Sequence, residues 1–336
     1  MKKSKVESWC VVRATALIAT MAMGLSAAAP IHAQSDRYPT RPIKLIMPAT
    51  AGGPADLLGR IAAEHLSKNL GQPVVVENIP GAGGNTGLAA ASRAAPDGYM
   101  IFLASQGMLS LAPWLFKELP FDADRDFAPV VLIAAPPYVL VTNPAVPANN
   151  LKELIALLRA KPGELNFAST NGNASSSHIA GELFKKIAKV DMVHVPFKGD
   201  AVAAPAVLAG DVQMMFSLTA GVTPNIRAGK FRAIAIGSVK RSAALPEVPT
   251  FDEAGLPGFT AASWFAILTR SGVPAPIIAR LNEELNRMLT LTEVRKRLLG
   301  IGAEAAGGSA AELALHLSTE RAKWGLVIKE AKITLN

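Results

Sequence analysis

The sequence predicts an α/β protein built as two hinged lobes. Three observations carry that prediction. Short apolar runs alternate with helical patterns in a βαβαβ rhythm over 43–104, and a similar rhythm returns over 165–236. Two strand-like runs, 128–134 and 138–142, are broken by Pro136-Pro137, which marks a crossing between the two units. A further strand at 263–268 is placed to cross back, and helices close the chain.

The elements follow in order. Ile43–Met47 is a short apolar run ended by Pro48 and reads as a buried parallel strand. The small-residue loop 49–55 contains Gly52-Gly53, and a helix runs from Pro54 to Leu70, with Pro in its first turn, Asp56 close behind and Gly71 as its stop. PVVVEN (73–78) is a second strand, and its valine run suits a sheet covered on both faces. PGAGGNTG (80–87) is a second glycine loop, 88–95 an alanine-rich helix, and Pro96-Asp97-Gly98 a turn before the strand 99–104. FDADRDF (121–127) is a polar connector.

In the second unit Leu151, Leu154, Ile155 and Leu158 give a helix one apolar face. A strand over 165–168 leads into the polar loop STNGNASSS (169–177) and a helix with Ile179, Leu183, Phe184 and Ile187 inward. Strands at 191–196, 212–216 and 231–236 alternate with helices at 201–208 and 220–228. Helices at 274–290, 293–300 and 310–329 end the chain, and no period of 20–50 residues suggests a solenoid.

The first 33 residues read as a secretory signal: Lys2, Lys3, Lys5 and Arg13, then the apolar stretch 14–28, then Ile31-His32-Ala33 as a cleavage site before Gln34. That stretch is too short for a comfortable membrane span. The predicted mature protein is therefore exported, with cleavage after Ala33 and a periplasmic location. The whole chain carries a net charge of +8, of which the leader holds part, and the remainder is spread without Lys/Arg runs. That pattern argues against nucleic acid as a partner and mildly favours an anionic solute. The single cysteine, Cys10, lies in the leader, so disulfides and thiol chemistry are excluded from the mature chain.

Enzyme motifs are missing. PGAGGNTG has Thr86 where a dinucleotide fingerprint needs glycine, and it lacks the Gly-Lys-Ser/Thr of a phosphate-binding P-loop. No Gly-x-Ser-x-Gly elbow exists, and hydroxyls beside an imidazole at Ser175-Ser176-Ser177-His178 read first as helix caps. The mature histidines, His65, His178, His194 and His316, show no metal-ligand spacing, so no metal and no cofactor is expected. His178 is open to an orienting role or a ligand contact. Glu283-Glu284 with Arg280 and Arg287 reads as a solvated helix face. What remains are three loops, 49–56, 80–87 and 169–178, each after a strand and before a helix. All are rich in Gly, Ser, Thr or Asn, suited to holding an anion with N–H and hydroxyl donors. One such loop alone is more often a plain turn; several together describe a binding cleft at the C-terminal ends of strands.

Ten segments in register resemble one family: YPTRPIKLIMP (38–48), LGQPVVVENIPGAGGNTG (70–87), AAPDGY (94–99), DFAPV (126–130), LNFAST (165–170), HIAGELF (178–184), HVPFKG (194–199), IRAGKFRAIA (226–235), LPEVPTFDEAGLPGF (245–259) and EVRKRL (293–298). The chain resembles the periplasmic receptors of the tripartite tricarboxylate transporter family, the Bug receptors. The resemblance implies a two-lobed periplasmic binding protein of the type II-like, Venus-flytrap kind. One lobe would comprise 34–135 plus 263–336 and the other 136–262, with hinge strands near 130–142 and 260–268. It implies a non-catalytic, monomeric receptor for a small organic carboxylate, delivering it to one large and one small integral membrane subunit. A receptor for a sensor kinase is the alternative, and an exported hydrolase a lesser one.

Carried over by position, the ligand set is Ala49, Thr50, Ala51, Gly52, Gly53 and Asp56 from the first loop, and Ser105 and Gln106 after the third strand. Ser169, Thr170, Asn171, Asn173, Ser175, Ser176 and His178 come from the polar loop, and Phe216 and Ser217 from a second-lobe strand. Three departures from the family pattern stand out. Ala49 replaces a pocket-walling Phe, and Pro54 replaces a Gly and removes an N–H. Ser217 replaces the acid of a usual Phe-Asp-Asn. The loop 169–177 is one residue longer than usual. From Ala49 and Ser217 the expected ligand is a carboxylate without an amino group, bulkier than the simplest dicarboxylates.

Overall fold

The computed structural model describes residues 38–170, 172–173 and 175–330; the expected signal segment with its cleavage site, and Asn171, lie outside the described residues. Two five-stranded mixed sheets form the frame of two α/β lobes. The first contains β1 (Ile43–Met47), β2 (Val74–Asn78), β3 (Met100–Ser105), β4 (Phe127–Ala134) and β10 (Phe265–Arg270), in the order β2-β1-β3-β10-β4. The second contains β5 (Tyr138–Thr142), β6 (Asn166–Ser169), β7 (Val193–Pro196), β8 (Met214–Leu218) and β9 (Arg232–Ile236), in the order β7-β6-β8-β5-β9.

The two sheets share one plan. Three strands run parallel, β2, β1 and β3 in one and β7, β6 and β8 in the other. A fourth strand lies antiparallel between the third and the fifth: β10 in the first sheet and β5 in the second. In each case that strand is the one delivered by a crossing from the other lobe. The crossings touch one another, with Tyr138 N–H donating to the Ala261 carbonyl and Ser263 N–H to the Pro136 carbonyl, 2.9 and 3.1 Å.

The central parallel strands β1, β3 and β8 are mostly buried, whereas β2 and β7 at the sheet edges expose Val75 and Val193. In the first lobe α1 (Pro54–Leu70) starts behind Gly53 with proline in its first turn and ends at Gly71, whose φ of 72° is the left-handed conformation that closes a helix. In the second lobe α4 (Leu151–Ala160), capped by Asn150, buries Leu151, Leu154 and Leu158 on the sheet, as its spacing predicts.

The structure departs from the sequence reading in places. The helix expected over 88–95 is α2 (Asn85–Ser92), because the Gly81 carbonyl accepts Gly84 N–H at 2.8 Å and tightens the loop into a short 3₁₀ turn, Ala82–Gly84. A π-turn (Gly107–Leu111) and α3 (Ala112–Leu115) follow β3 where no helix was expected; Pro113 falls in the first turn of α3, where a missing N–H costs nothing. Glu284 is not solvated: its side chain is 13% exposed and sits 3.7 Å from the His65 imidazole.

Candidate ligand cleft

The C-terminal ends of the parallel strands of both sheets carry the residues that the sequence singles out. After β1 the chain turns through Ala49 to Gly53. Thr50, Ala51 and Gly52 are exposed, with Gly52 at φ 83°, while Ala49 and Gly53 are part-buried. Asp56 lies behind this loop rather than on its surface: it is 3% exposed. Its Oδ2 accepts Gly52 N–H at 2.9 Å and Arg60 Nε–H at 2.8 Å, and its Oδ1 accepts from Asn78 Nδ2 at 2.9 Å. Asn78 also donates to the Ala49 carbonyl at 3.0 Å. Burial alone would raise the Asp56 pKa, but these donors and the guanidinium charge outweigh it and hold the group below 3.8. Asp56 is thus an ionised brace that fixes the exposed loop from behind.

The polar loop after β6 is braced in its own way. The Ser169 hydroxyl donates to the Gly172 carbonyl at 3.0 Å and lies 2.7 Å from His194 Nε2. A hydroxyl has one proton, so with that proton on Gly172 the imidazole presents Nε2–H. Thr170 N–H donates to Ser177 Oγ at 2.9 Å. Ser175 caps α5 (Ser176–Ala188) by accepting His178 N–H, and its hydroxyl donates to the Gly172 carbonyl at 2.8 Å. His178 stacks on His194, ring centroids 3.7 Å apart and planes within 7°. Burial, reinforced by Lys185, lowers both imidazoles to about 4, and the pair stays neutral at ordinary pH. His178 therefore supports the loop through its ring, while Asn173 stands exposed at the loop's tip.

A third group gathers where the crossings meet the second sheet. The Tyr138 hydroxyl, fully buried at the start of β5, shares hydrogen bonds with Ser176 and Ser263, and burial pushes its pKa up, so it is neutral. Ser217, at the end of β8, donates to Asp200 Oδ1 at 2.6 Å. Asp200 opens α6 (Asp200–Ala209) after β7 and is part-buried. The acid expected to be missing from this corner with Ser217 is therefore present, supplied by a neighbouring element. Burial raises the Asp200 pKa against the lowering effect of the Ser217 hydroxyl and its own amide.

The lobes approach at this edge. A Cβ on Gly107, at the start of the π-turn after β3, would stand 3.4 Å from Ser176 Oγ and 3.9 Å from Ser105 Oγ. Behind it Leu111 and Leu115 of the first lobe pack with Ile179 of α5 and with Trp324 and Ile328 of α10 (Ala310–Glu330). Ser105, Ser176, Tyr138 and Ser263 thus converge. Six residues of the sequence-derived set are buried: Asp56, Ser169, Thr170 and Ser217 within the hydrogen bonds above, and Phe216 and Gln106 in the core. Phe216 is fully buried among Phe167, Phe184 and Phe259. Gln106 is 1% exposed, its Nε2 donating to the Ala262 carbonyl and to Glu320 Oε2 at 2.8 and 2.9 Å. Tyr138, Asp200 and Ser263 escaped the sequence reading; a Gly-Asp pair opening a helix straight after a strand is the signal that marks Asp200.

The comparisons with known proteins agree with this architecture. The family described as "Tripartite tricarboxylate transporter family receptor" matches residues 58–333. BugT of Bordetella pertussis is 36% identical over 304 residues, covering 90% of this chain and 92% of its own. A Rhodopseudomonas palustris protein solved with adipate, Rpa4515, superposes with a TM-score of 0.84 at 32% identity over 89% of this chain and all of its own. MatC from the same organism, solved with bound malate, gives 0.78 at 33% identity, over 87% of this chain and all of its own. The chain belongs to the tripartite tricarboxylate transporter receptor family.

Proposed function

We propose that this protein is an exported receptor that captures a small organic carboxylate between its lobes and delivers it to the membrane subunits of a tripartite transporter. The observation that carries this reading is the approach of the two lobes at Gly107, where a Cβ would stand within 4 Å of the hydroxyls of both Ser105 and Ser176, at the end of a strand that neighbours the one leading into the exposed loop Thr50–Gly52. The hydroxyls at this edge are neutral donors, which suits an anion held by N–H and O–H groups. In this reading 34–135 with 263–336 and 136–262 move as two bodies about the paired crossings, and closure buries the ligand. The known ligands of the Rhodopseudomonas relatives, adipate and malate, support a carboxylate here.

The test is calorimetry and thermal unfolding of the refolded, ligand-free mature protein against a panel of mono- and dicarboxylates with matched neutral diols and amides. An acid at a hundred times its Kd should add ~2.7 kcal/mol of stability. The reading fails if no acid stabilises the protein, or if the neutral analogues do so equally. Export is tested by the mass of the periplasmic product, expected to begin at Gln34.

A further inference from the structure

Asp200 is a carboxylate without a cation. Its contacts among the described residues are the Ser217 hydroxyl at 2.6 Å and its own amide. Lys198, two residues earlier, is exposed and contributes no charge interaction to it. Its surroundings are small or hydroxyl-bearing: a Cβ on Gly221 would lie 3.0 Å from Oδ1, and Tyr138, with its partners Ser176 and Ser263, is close enough to feel the Asp200 charge. The residue is part-buried, and desolvation is the largest influence on its carboxyl.

A ligand that covers the carboxylate completes its desolvation and must repay that cost. A second ligand carboxylate placed there repels it and must first find a proton. A hydroxyl or ammonium group repays it directly, with a charge-assisted hydrogen bond of the stronger kind. The Ser217 hydroxyl spends its proton on Oδ1 and so cannot serve the ligand as a donor.

Building on the carboxylate-receptor reading, we propose that Asp200 reads a hydrogen-bond donor, a hydroxyl or ammonium group, carried by the captured acid away from its held carboxylate. The ligand class is then a hydroxy or amino acid, not a plain dicarboxylate. This replaces the expectation drawn from Ser217 alone.

The test uses matched sets differing by one donor: succinate, malate and aspartate; glutarate, 2-hydroxyglutarate and glutamate; benzoate and 4-hydroxybenzoate. Calorimetric Kd values are measured for the wild-type protein, Asp200→Asn and Asp200→Ala. In the set that binds tightest, the wild type should favour a donor-bearing member by about tenfold or more, the worth of a hydrogen bond to a charged group. Asp200→Ala should bring that ratio close to one, by weakening the donor-bearing acid and by tightening a plain dicarboxylate that no longer meets a like charge. Asp200→Asn, which keeps the shape and an acceptor oxygen, should weaken ammonium ligands most and decides the matter if the alanine variant does not fold. A donor preference that survives both substitutions, or a wild type that favours plain acids, overturns the proposal and leaves the receptor reading standing. Failure of every acid to bind overturns both.

Discussion

Asp56 and Asp200 stand in comparable places, each in the first turn of a helix that follows a parallel strand, one in each lobe. Position is where the likeness ends. Asp56 is surrounded by donors from three residues, Gly52, Arg60 and Asn78, and its pKa falls. Asp200 has, among the described residues, one side-chain donor and no cation, and burial raises its pKa. A helix N-terminus favours negative charge in both cases, so the difference comes from the partners. A carboxylate ringed by donors is architecture; one with few donors can still be completed by a further one.

The sharpest way to break this comparison is to remove both acids in turn. Asp56→Ala removes the acceptor of one Asn78 N–H, the Gly52 N–H and Arg60, and should cost about 1–3 kcal/mol in urea unfolding. Asp200→Asn should cost under about 1 kcal/mol or stabilise, since it removes an unpaired buried charge. Equal losses would erase the distinction. Acid titration should separate the lobes next. The Asp56 contribution is complete above pH 3.8 and is lost as pH falls through its lowered pKa. The Asp200 penalty runs the other way: it is absent below 3.8 and complete only above the raised pKa. His178 and His194 stay neutral in the fold down to about 4, whereas the unfolded chain protonates near 6.5. Stability should therefore fall between pH 6.5 and 4, and a His178→Gln, His194→Gln double variant should flatten that slope in unfolding curves taken across the range.

Smaller effects sharpen the picture. Arg60 is half exposed, so Arg60→Ala should cost no more than about 1 kcal/mol, much less than loss of its partner Asp56. A loss as large as that of Asp56→Ala would mean that the ion pair, and not the backbone and Asn78 hydrogen bonds, holds the loop. The mildest expected effect is that of Gly107→Ala, whose methyl meets Ser176 Oγ at 3.4 Å; it should weaken ligand binding several-fold with little change in melting temperature. Unchanged affinity would show that the lobes need not approach at this point.

Much of the frame was legible in the residues. The valine run of 73–78, the glycine loop before Pro54 and the Pro136-Pro137 break each report a local physical constraint, and local constraints survive in sequence. The turn after β3 did not, because Gly107 and Pro113 weaken a helical pattern that packing against α10 restores. Side-chain partnerships were harder still. Gln106 follows β3 directly, yet its amide is spent on Glu320, 214 positions away. Ser217 read as a lost acid because a residue was judged by its own position, while the charge arrives from Asp200, 17 positions earlier.

The shared strand order also sets a timetable for folding. The second sheet is drawn from one continuous stretch, Tyr138 to Ile236, and has all its strands once that stretch exists. The first sheet has a gap between β3 and β4 that only β10 fills, and Phe265 to Arg270 arrive more than a hundred residues after β4. Pairings so distant pay a larger loop-closure entropy and form late. The lobe nearest the N-terminus should therefore be the last to finish, and until it does, β3 and β4 keep open edges that a premature partner can occupy.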